Sequence, residues 1–140
     1  MKQKTEKELK DNYERFIAII KKYFTGDRLE KLLFMYSEGE LGPNLAIAPA
    51  SGNAGYHNCY TGGYIDHIFN ACKNALKVKE LFIQLGGKVD FTDEELIFVA
   101  LHHDLGKLGL KINHTIYQIL QIGTLRIKVK YMQLILNYII

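Results

Sequence analysis

The chain has 140 residues, enough for one domain, and its 48% hydrophobic and 24% charged residues are typical of a globular protein. These proportions exclude a disordered tail protein, a collagen-like fibre and a disulfide-dense miniprotein. The formal net charge of +3 is unevenly distributed: residues 1–104 carry −2, whereas residues 105–140 contain five Lys or Arg, no acidic residue, and a charge of +5. The average charge therefore describes neither part of the chain and does not by itself indicate a nucleic-acid partner.

Two N-terminal helices are predicted over residues 5–37. The first has an apolar stripe at three- and four-residue spacings, with lysines and glutamates opposite; it consists of Tyr13, Phe16, Ile17, Ile20 and Phe24. Gly26 ends this helix, and Asp27 with Glu30 has the spacing of a capping box for the second. Residues 39–62 follow as a loop rich in Gly, Pro, Ala, Ser and Asn, whose length favours a function beyond connecting two helices.

Two further helices are predicted over residues 62–85 and 93–105. We expect Thr61 to cap the earlier helix, and Thr92 with Glu95 to form a capping box for the later one, which Gly106 would end. Leu96, Val99, Ala100 and His103 recur at helical spacing in the later helix. His103 is therefore expected on the inward face, with His102 rotated away from it.

Residues 110–140 form an atypical tail, which we separate from a domain spanning residues 1–109. The tail is rich in isoleucine and alternates in a strand-like manner over 125–131. Its longest apolar stretch is too short to span a bilayer, and the N-terminus lacks the apolar core of a signal peptide. Cys59 and Cys72 have neither zinc-knuckle spacing nor a need for an oxidising compartment. We expect a cytoplasmic protein with no membrane partner, and homo-oligomerisation through the N-terminal helices and the tail stays open.

The densest group of chemically active residues is Leu101–Lys107, which contains His103-Asp104. A carboxylate beside a histidine on an inward helix face needs a partner, and a divalent cation is one. Imidazole with carboxylate suits Mn²⁺, Fe²⁺, Co²⁺, Ni²⁺ or Zn²⁺. Lys107, one turn later, could reach a phosphate oxygen at such a site.

A second group runs from His57 to His67 and includes Gly62 and Gly63. The two glycines allow a ligand to approach the backbone and precede a helix start, where free N–H groups favour anions. In isolation each feature has a simpler interpretation. Gly62-Gly63 is a common turn, and His103-Asp104 fits a helix C-terminus at which the imidazole interacts with the dipole. For His102 and His114 we prefer an ordinary core or surface position.

His67 together with His103-Asp104 in the segment ALHHDLGK resembles the HD-domain metal-dependent phosphohydrolase superfamily. The segment HNCYTGGYIDH, from His57 to His67, is similar to the opening of a subgroup that includes bacterial 3′–5′ exoribonucleases of the YhaM type and phage HD proteins. The resemblance covers roughly residues 47–109.

The resemblance implies an all-α, HD-domain-like helical bundle around a divalent metal ion (Mn, Fe, Ni, Co, Zn or Mg). His67, His103 and Asp104 would be its ligands, with Asp104 and Lys107 as catalytic residues. Gly62, Gly63 and Lys107 would contact the substrate, and His57 would be a substrate contact or a further metal ligand.

The family pattern also has a final Asp on a later helix, and this chain has no Asp or Glu after Asp104. The absence of acids and the abundance of Ile, Leu, Lys, Asn and Tyr after about Gly109 fit a truncated or out-of-frame continuation of a longer HD gene. A genuine hydrophobic extension is the alternative.

The function that we expect is hydrolysis of a phosphoester in a nucleotide or nucleic acid. The alternative is a non-catalytic or truncated HD-domain remnant that binds metal or nucleotide, or acts as an interaction module. Nucleic-acid binding through the basic tail is less favoured, because its basic residues are interleaved with isoleucines rather than clustered on a polar face.

Overall fold

The structure is a computed structural model that describes residues 3–38, 41–53 and 55–108. Within these ranges the chain forms five α-helices and no strand, which confirms the all-α prediction. The predicted strand-like tail at 110–140 and His114 lie outside the described residues. None of the helices in the described ranges has the length and apolar character needed to cross a membrane.

Helices α1 (Glu6–Tyr23) and α2 (Gly26–Leu33) form the N-terminal part, and a short π-helical turn (Phe34–Glu38) continues from α2. The apolar stripe of α1 buries Phe16 and Ile20 fully. The predicted capping role of Asp27 is wrong. It lies inside the first turn of α2, where its carboxylate accepts a hydrogen bond from Lys31 Nζ one turn later (2.6 Å).

The segment 39–62 is not entirely a loop, because it contains helix α3 (Leu41–Ile47). Leu41 and Leu45, one turn apart, are buried and give this short helix its apolar face. Pro43 is tolerated because it lies in the first turn, where a backbone N–H has no partner within the helix. Composition alone therefore concealed a helix of two turns.

Helices α4 (Gly63–Gln84) and α5 (Asp93–His102) are the two that carry the candidate site. Thr61 does not cap α4 as predicted. Gly62 occupies the N-cap position with φ of 78°, a left-handed conformation that favours glycine. The capping box of α5 is confirmed, since Thr92 Oγ1 accepts from the N–H of Glu95 and the Glu95 side chain accepts from the N–H of Thr92.

Helix α5 ends at His102, earlier than predicted, and a 3₁₀ turn (Leu105–Leu108) follows. Leu105 and Leu108 are buried and anchor this turn to the core. Helix α5 packs along α4, and α1 and α3 cover the remaining sides of the core. The end of α5 is thereby held against the N-terminal half of α4, where His67 lies.

Candidate metal centre

His67 reaches the centre from the second turn of α4. Its side chain is buried, with 7% of the residue exposed. Tyr64 and Ala71, one turn before and after it, are also buried, so the same face of the helix continues into the core. An imidazole held between buried neighbours has few rotamers available, which fixes the direction of its ring.

His103 and Asp104 reach the same place from the end of α5. His103 is the first residue after the helix and keeps helical backbone angles, with φ of −58° and ψ of −30°. Asp104 follows in the turn that leads to the 3₁₀ turn at Leu105–Leu108. The side chain of His103 is 7% exposed and that of Asp104 is 22% exposed, so the cluster is held by the core and still reaches the surface.

The three side chains converge on one point. The Nε2 atoms of His67 and His103 lie 3.0 Å apart. Asp104 Oδ2 lies 3.0 Å from Nε2 of His67 and 3.4 Å from Nε2 of His103. The structure therefore brings together the three residues that the sequence singled out as metal ligands.

A backbone carbonyl determines the tautomer of His103. Its Nδ1 lies 2.8 Å from the carbonyl oxygen of Ala100. A carbonyl can only accept, so Nδ1 carries the proton and donates it. Neutral His103 then presents the lone pair of Nε2 toward His67 and Asp104, an arrangement that metal-binding histidines use to orient the ligating nitrogen.

The carboxylate of Asp104 is ionised throughout the physiological range. Burial raises its pKa, but hydrogen bonds with His103, His67 and Lys107 outweigh burial and hold the pKa well below its usual range. For His103 burial lowers the pKa, whereas contacts with Asp104 and Ala100 raise it, and the net pKa is raised. The site thus combines a permanent negative charge with an imidazole whose protonation competes with metal binding in acid.

Lys107 and His57 lie at the edge of the cluster. Lys107 Nζ donates to Asp104 Oδ2 over 2.6 Å and is exposed. The exposed ring of His57 lies against that of His67, with ring centroids 4.9 Å apart. These two of the four predicted substrate contacts are therefore adjacent to the ligand set and open to solvent.

The free N–H groups predicted at the start of the helix are not found at Gly62 and Gly63. Their N–H groups donate to the carbonyls of Ile47 (3.0 Å) and Tyr60 (2.8 Å). A Cβ on Gly62 would collide with the side chain of Leu9, and one on Gly63 with the backbone of Asn58. The close approach that requires glycine here is made by the chain itself, and a role in substrate binding stays a prediction.

The expected orientation of His102 is wrong. His102 is buried, packs against Tyr36 and Phe98, and donates from Nδ1 to the carbonyl of Phe98. Adjacent helical residues differ by about 100° in direction, and α5 is buried on more than one side. Its buried apolar residues are Leu96, Ile97, Phe98, Ala100 and Leu101. An apolar stripe therefore could not identify a single inward face.

Tyr64 is a neighbour of the site that the sequence interpretation missed. Its hydroxyl is buried and has no hydrogen-bond partner among the described residues. Burial raises the pKa of Tyr64, and the negative charge of Asp104 raises it further, which places the two groups near each other. The available signal was its position three residues before His67, on the same face of α4.

The donor atoms fit a divalent cation. Two ligands each about 2.1 Å from one cation lie about 3.0 Å apart at a right angle and about 3.4 Å apart at the tetrahedral angle. The separations in the cluster lie between 3.0 and 3.4 Å. Among the described residues, His67, His103 and Asp104 form the one group of three or more His, Cys, Asp or Glu side chains arranged to hold a metal ion.

Comparisons with protein-family models, with curated proteins and with solved structures find no match for this chain. Function is therefore inferred from the side chains of the site and from the sequence motifs that contain them.

Proposed function

We propose that the protein is a metal-dependent phosphohydrolase of the HD superfamily that hydrolyses a phosphoester of a nucleotide or nucleic acid. The observation that carries the proposal is the convergence of His67, His103 and Asp104 from two helices onto one point. These are the residues through which the sequence resembles that superfamily, and their donor atoms suit a divalent cation.

His67, His103 and Asp104 would hold the cation, which supplies Lewis-acid polarisation of a phosphoryl oxygen when bound. The Ala100 carbonyl keeps the proton of His103 on Nδ1, away from the site. Lys107 places its ammonium group beside Asp104, where it can stabilise negative charge on phosphoryl oxygens. His57 is exposed beside His67 and can contact the substrate from the loop side.

A second candidate is a non-catalytic member that binds metal or nucleotide without turnover. It is favoured by the limited number of carboxylates: among the described residues, Asp104 is the one carboxylate in the cluster. Asp66, the residue before His67, is directed elsewhere and accepts hydrogen bonds from Lys4 and Asn12. Fewer anionic ligands weaken the hold on a hard divalent cation.

Hydrolysis of bis-p-nitrophenyl phosphate, with added Mn²⁺ and with chelator, tests the first candidate. We expect metal-dependent turnover that Asp104→Asn abolishes. Lys107→Gln should lower kcat by about 10²-fold, as expected for loss of one group that stabilises developing charge. The matched control is Lys88→Gln, which removes an exposed lysine from the segment between α4 and α5. We expect its turnover to be unchanged.

The two candidates give different results in this assay. Metal binding without turnover of phosphodiester or nucleotide substrates supports the non-catalytic candidate. Turnover that survives in Asp104→Asn would contradict the role assigned to the cluster.

A further inference from the structure

A basic groove lies between α1 and α4, away from the metal cluster. It encloses about 760 Å³, within the range of about 300–1,000 Å³ that is usual for ligand sites. Its walls carry four cationic side chains: Arg15 and Lys22 from α1, and Lys73 and Lys77 from α4. The groove contains none of His67, His103, Asp104, His57 or Lys107.

No carboxylate among the described residues forms an ion pair with any of these four cations. Of the thirteen Lys and Arg in the described ranges, seven form an ion pair with a described carboxylate. Four of the remaining six line this groove, and the other two are Lys21 and Lys88. Among the described residues, cations without a carboxylate partner are thus concentrated in one concave surface of a region that is acidic overall.

Asp66, the one carboxylate among the described residues that line the groove, is already compensated. Asp66 accepts hydrogen bonds from Lys4 Nζ (2.9 Å), Asn12 Nδ2 (2.8 Å) and the hydroxyl of Tyr60 (2.7 Å). Its negative charge is therefore directed to Lys4 and does not neutralise the four cations, which leaves the groove positively charged.

Aromatic rings lie among the cations. The guanidinium of Arg15 lies 4.4 Å from the ring centroid of Phe69, and Lys22 Nζ lies 5.1 Å from that of Tyr23. Both rings are half-buried in the groove wall. Cations that follow a groove with interleaved aromatic faces are the combination that binds single-stranded nucleic acid, in which phosphates pair with the cations and unstacked bases stack on the rings.

We propose that the α1–α4 groove binds single-stranded nucleic acid. A polymer is favoured over an isolated phosphate because the cations extend along both helices: Arg15 and Lys22 are about 10 Å apart along α1, and Lys73 and Lys77 about 6 Å apart along α4. A single strand is favoured over a duplex because duplex bases are covered by stacking. A flat lipid surface could not reach rings that lie in the wall of a groove.

Fluorescence anisotropy of the full chain with labelled oligo(U) or oligo(dT) of about 20 nucleotides tests the proposal. EDTA is present throughout, so that neither metal binding nor cleavage contributes. We expect binding whose log K falls with log salt with a slope of about −3 for four phosphate contacts. Duplex DNA of the same length and vesicles containing phosphatidylserine should bind more weakly.

Two double variants separate the groove from general positive charge. Lys73→Gln/Lys77→Gln should weaken binding roughly tenfold or more and reduce the salt slope by about half. Lys21→Gln/Lys88→Gln removes the same charge from two exposed lysines outside the groove and should leave binding within about twofold. All four lysines are exposed, and circular dichroism confirms that the variants fold.

Phe69→Leu tests the stacking contribution. It should lower the affinity and leave the salt slope unchanged, because a ring and not a charge is lost. Equal weakening by both double variants would overturn the proposal, as would binding that neither changes, stronger binding to the vesicles, or no binding to either oligonucleotide. If the wild-type chain binds oligonucleotide but no metal, the proposal for the groove is supported and only the proposal for the metal centre is refuted.

Discussion

His102 places a titratable ring in the apolar core, directly beside the candidate metal ligand His103. The Nε2 atom of His102 and the hydroxyl oxygen of Tyr36, another side chain of this core, are buried and have no hydrogen-bond partner in the part of the chain that the structure describes. A buried imidazole that lacks a partner on one nitrogen cannot be charged without a large desolvation cost. Burial accordingly lowers the pKa of His102 to about 4, whereas an unfolded histidine titrates near 6.5.

The depressed pKa of His102 predicts acid sensitivity. Between about pH 6.5 and 4 the unfolded chain binds a proton at this residue that the folded chain does not. Above pH 6.5 His102 is neutral in both states and does not lower the free energy of unfolding. As the pH falls from 6.5 to 4, its titration lowers the free energy of unfolding by an amount on the order of 3 kcal/mol. Urea unfolding at pH 7 and 4.5 measures the difference.

His102→Phe is the matched variant, because it keeps a ring beside Tyr36 and Phe98 and removes the titration. We expect a smaller loss of stability between pH 7 and 4.5 in this variant than in the wild type. Equal losses would show that His102 does not titrate as its burial implies.

The joint between the loop and α4 consists of Gly62 and Gly63, and it leaves no room for a Cβ at either residue. The N–H groups of Gly62 and Tyr64 donate to Ile47 and Ala48, so the start of α4 is bonded to the end of α3. Gly63 lies so close to the backbone of Asn58 that a Cβ there would collide with it. This joint sets where α4 begins and hence where His67 lies.

Gly63→Ala is expected to destabilise the fold, because backbone atoms cannot move aside as a flexible side chain can. The expected loss is about 1–3 kcal/mol in the free energy of unfolding, the usual cost of overpacking. Gly52→Ala is the control: it makes the same change in the loop that precedes α4, with nothing within 4 Å of the added atom. Equal midpoints in urea for both variants would contradict this account of the joint.

At the scale of elements, the sequence predicted those helix boundaries that depend on residues close together in the chain. Thr92 and Glu95 cap each other across a single turn, and that start was predictable from the sequence. Helix α3 was missed because Gly and Pro lower helix propensity while two buried leucines outweigh them through tertiary packing. The left-handed N-cap at Gly62 was missed because the atoms that leave no room for a Cβ there belong to Leu9 and Ala46, which are distant in the chain.

At the scale of the molecule, Asp66 connects three parts of the chain through hydrogen bonds to its carboxylate. Lys4 before α1, Asn12 within α1 and Tyr60 before α4 all donate to its carboxylate. Burial raises the pKa of Asp66, but the hydrogen bonds from these residues outweigh burial and lower it. Burial and the bond to Asp66 also raise the pKa of Tyr60 to about 12.

Asp66→Asn should destabilise the protein by about 1–3 kcal/mol at pH 7, since donors to a charged acceptor lose their partner. A lowered carboxyl pKa contributes stability above the unfolded value of about 3.9, and that contribution is lost as the pH falls below it. The difference in unfolding free energy between wild type and variant should therefore narrow between pH 5 and 3.5. A difference that stays constant with pH would contradict an ionised Asp66.

The convergence of His67 with His103 is also a property of the whole molecule. Helical periodicity placed His103 on an inward face but could not place two helices against each other; the resemblance of both motifs to one family supplied that pairing. No sequence motif indicated the basic groove. Arg15 and Lys73 belong to separate helices, and each is an ordinary exposed cation until α1 packs against α4.

The central claim is that His67, His103 and Asp104 form a metal site. Titration calorimetry with Mn²⁺ or Zn²⁺, supported by elemental analysis of the dialysed protein, tests it most directly. The account predicts one equivalent of metal in the wild type and in His102→Phe, which lacks the adjacent imidazole, and loss of that equivalent in His103→Ala and Asp104→Asn. No bound metal in the wild type, or equal binding in all four proteins, would contradict it.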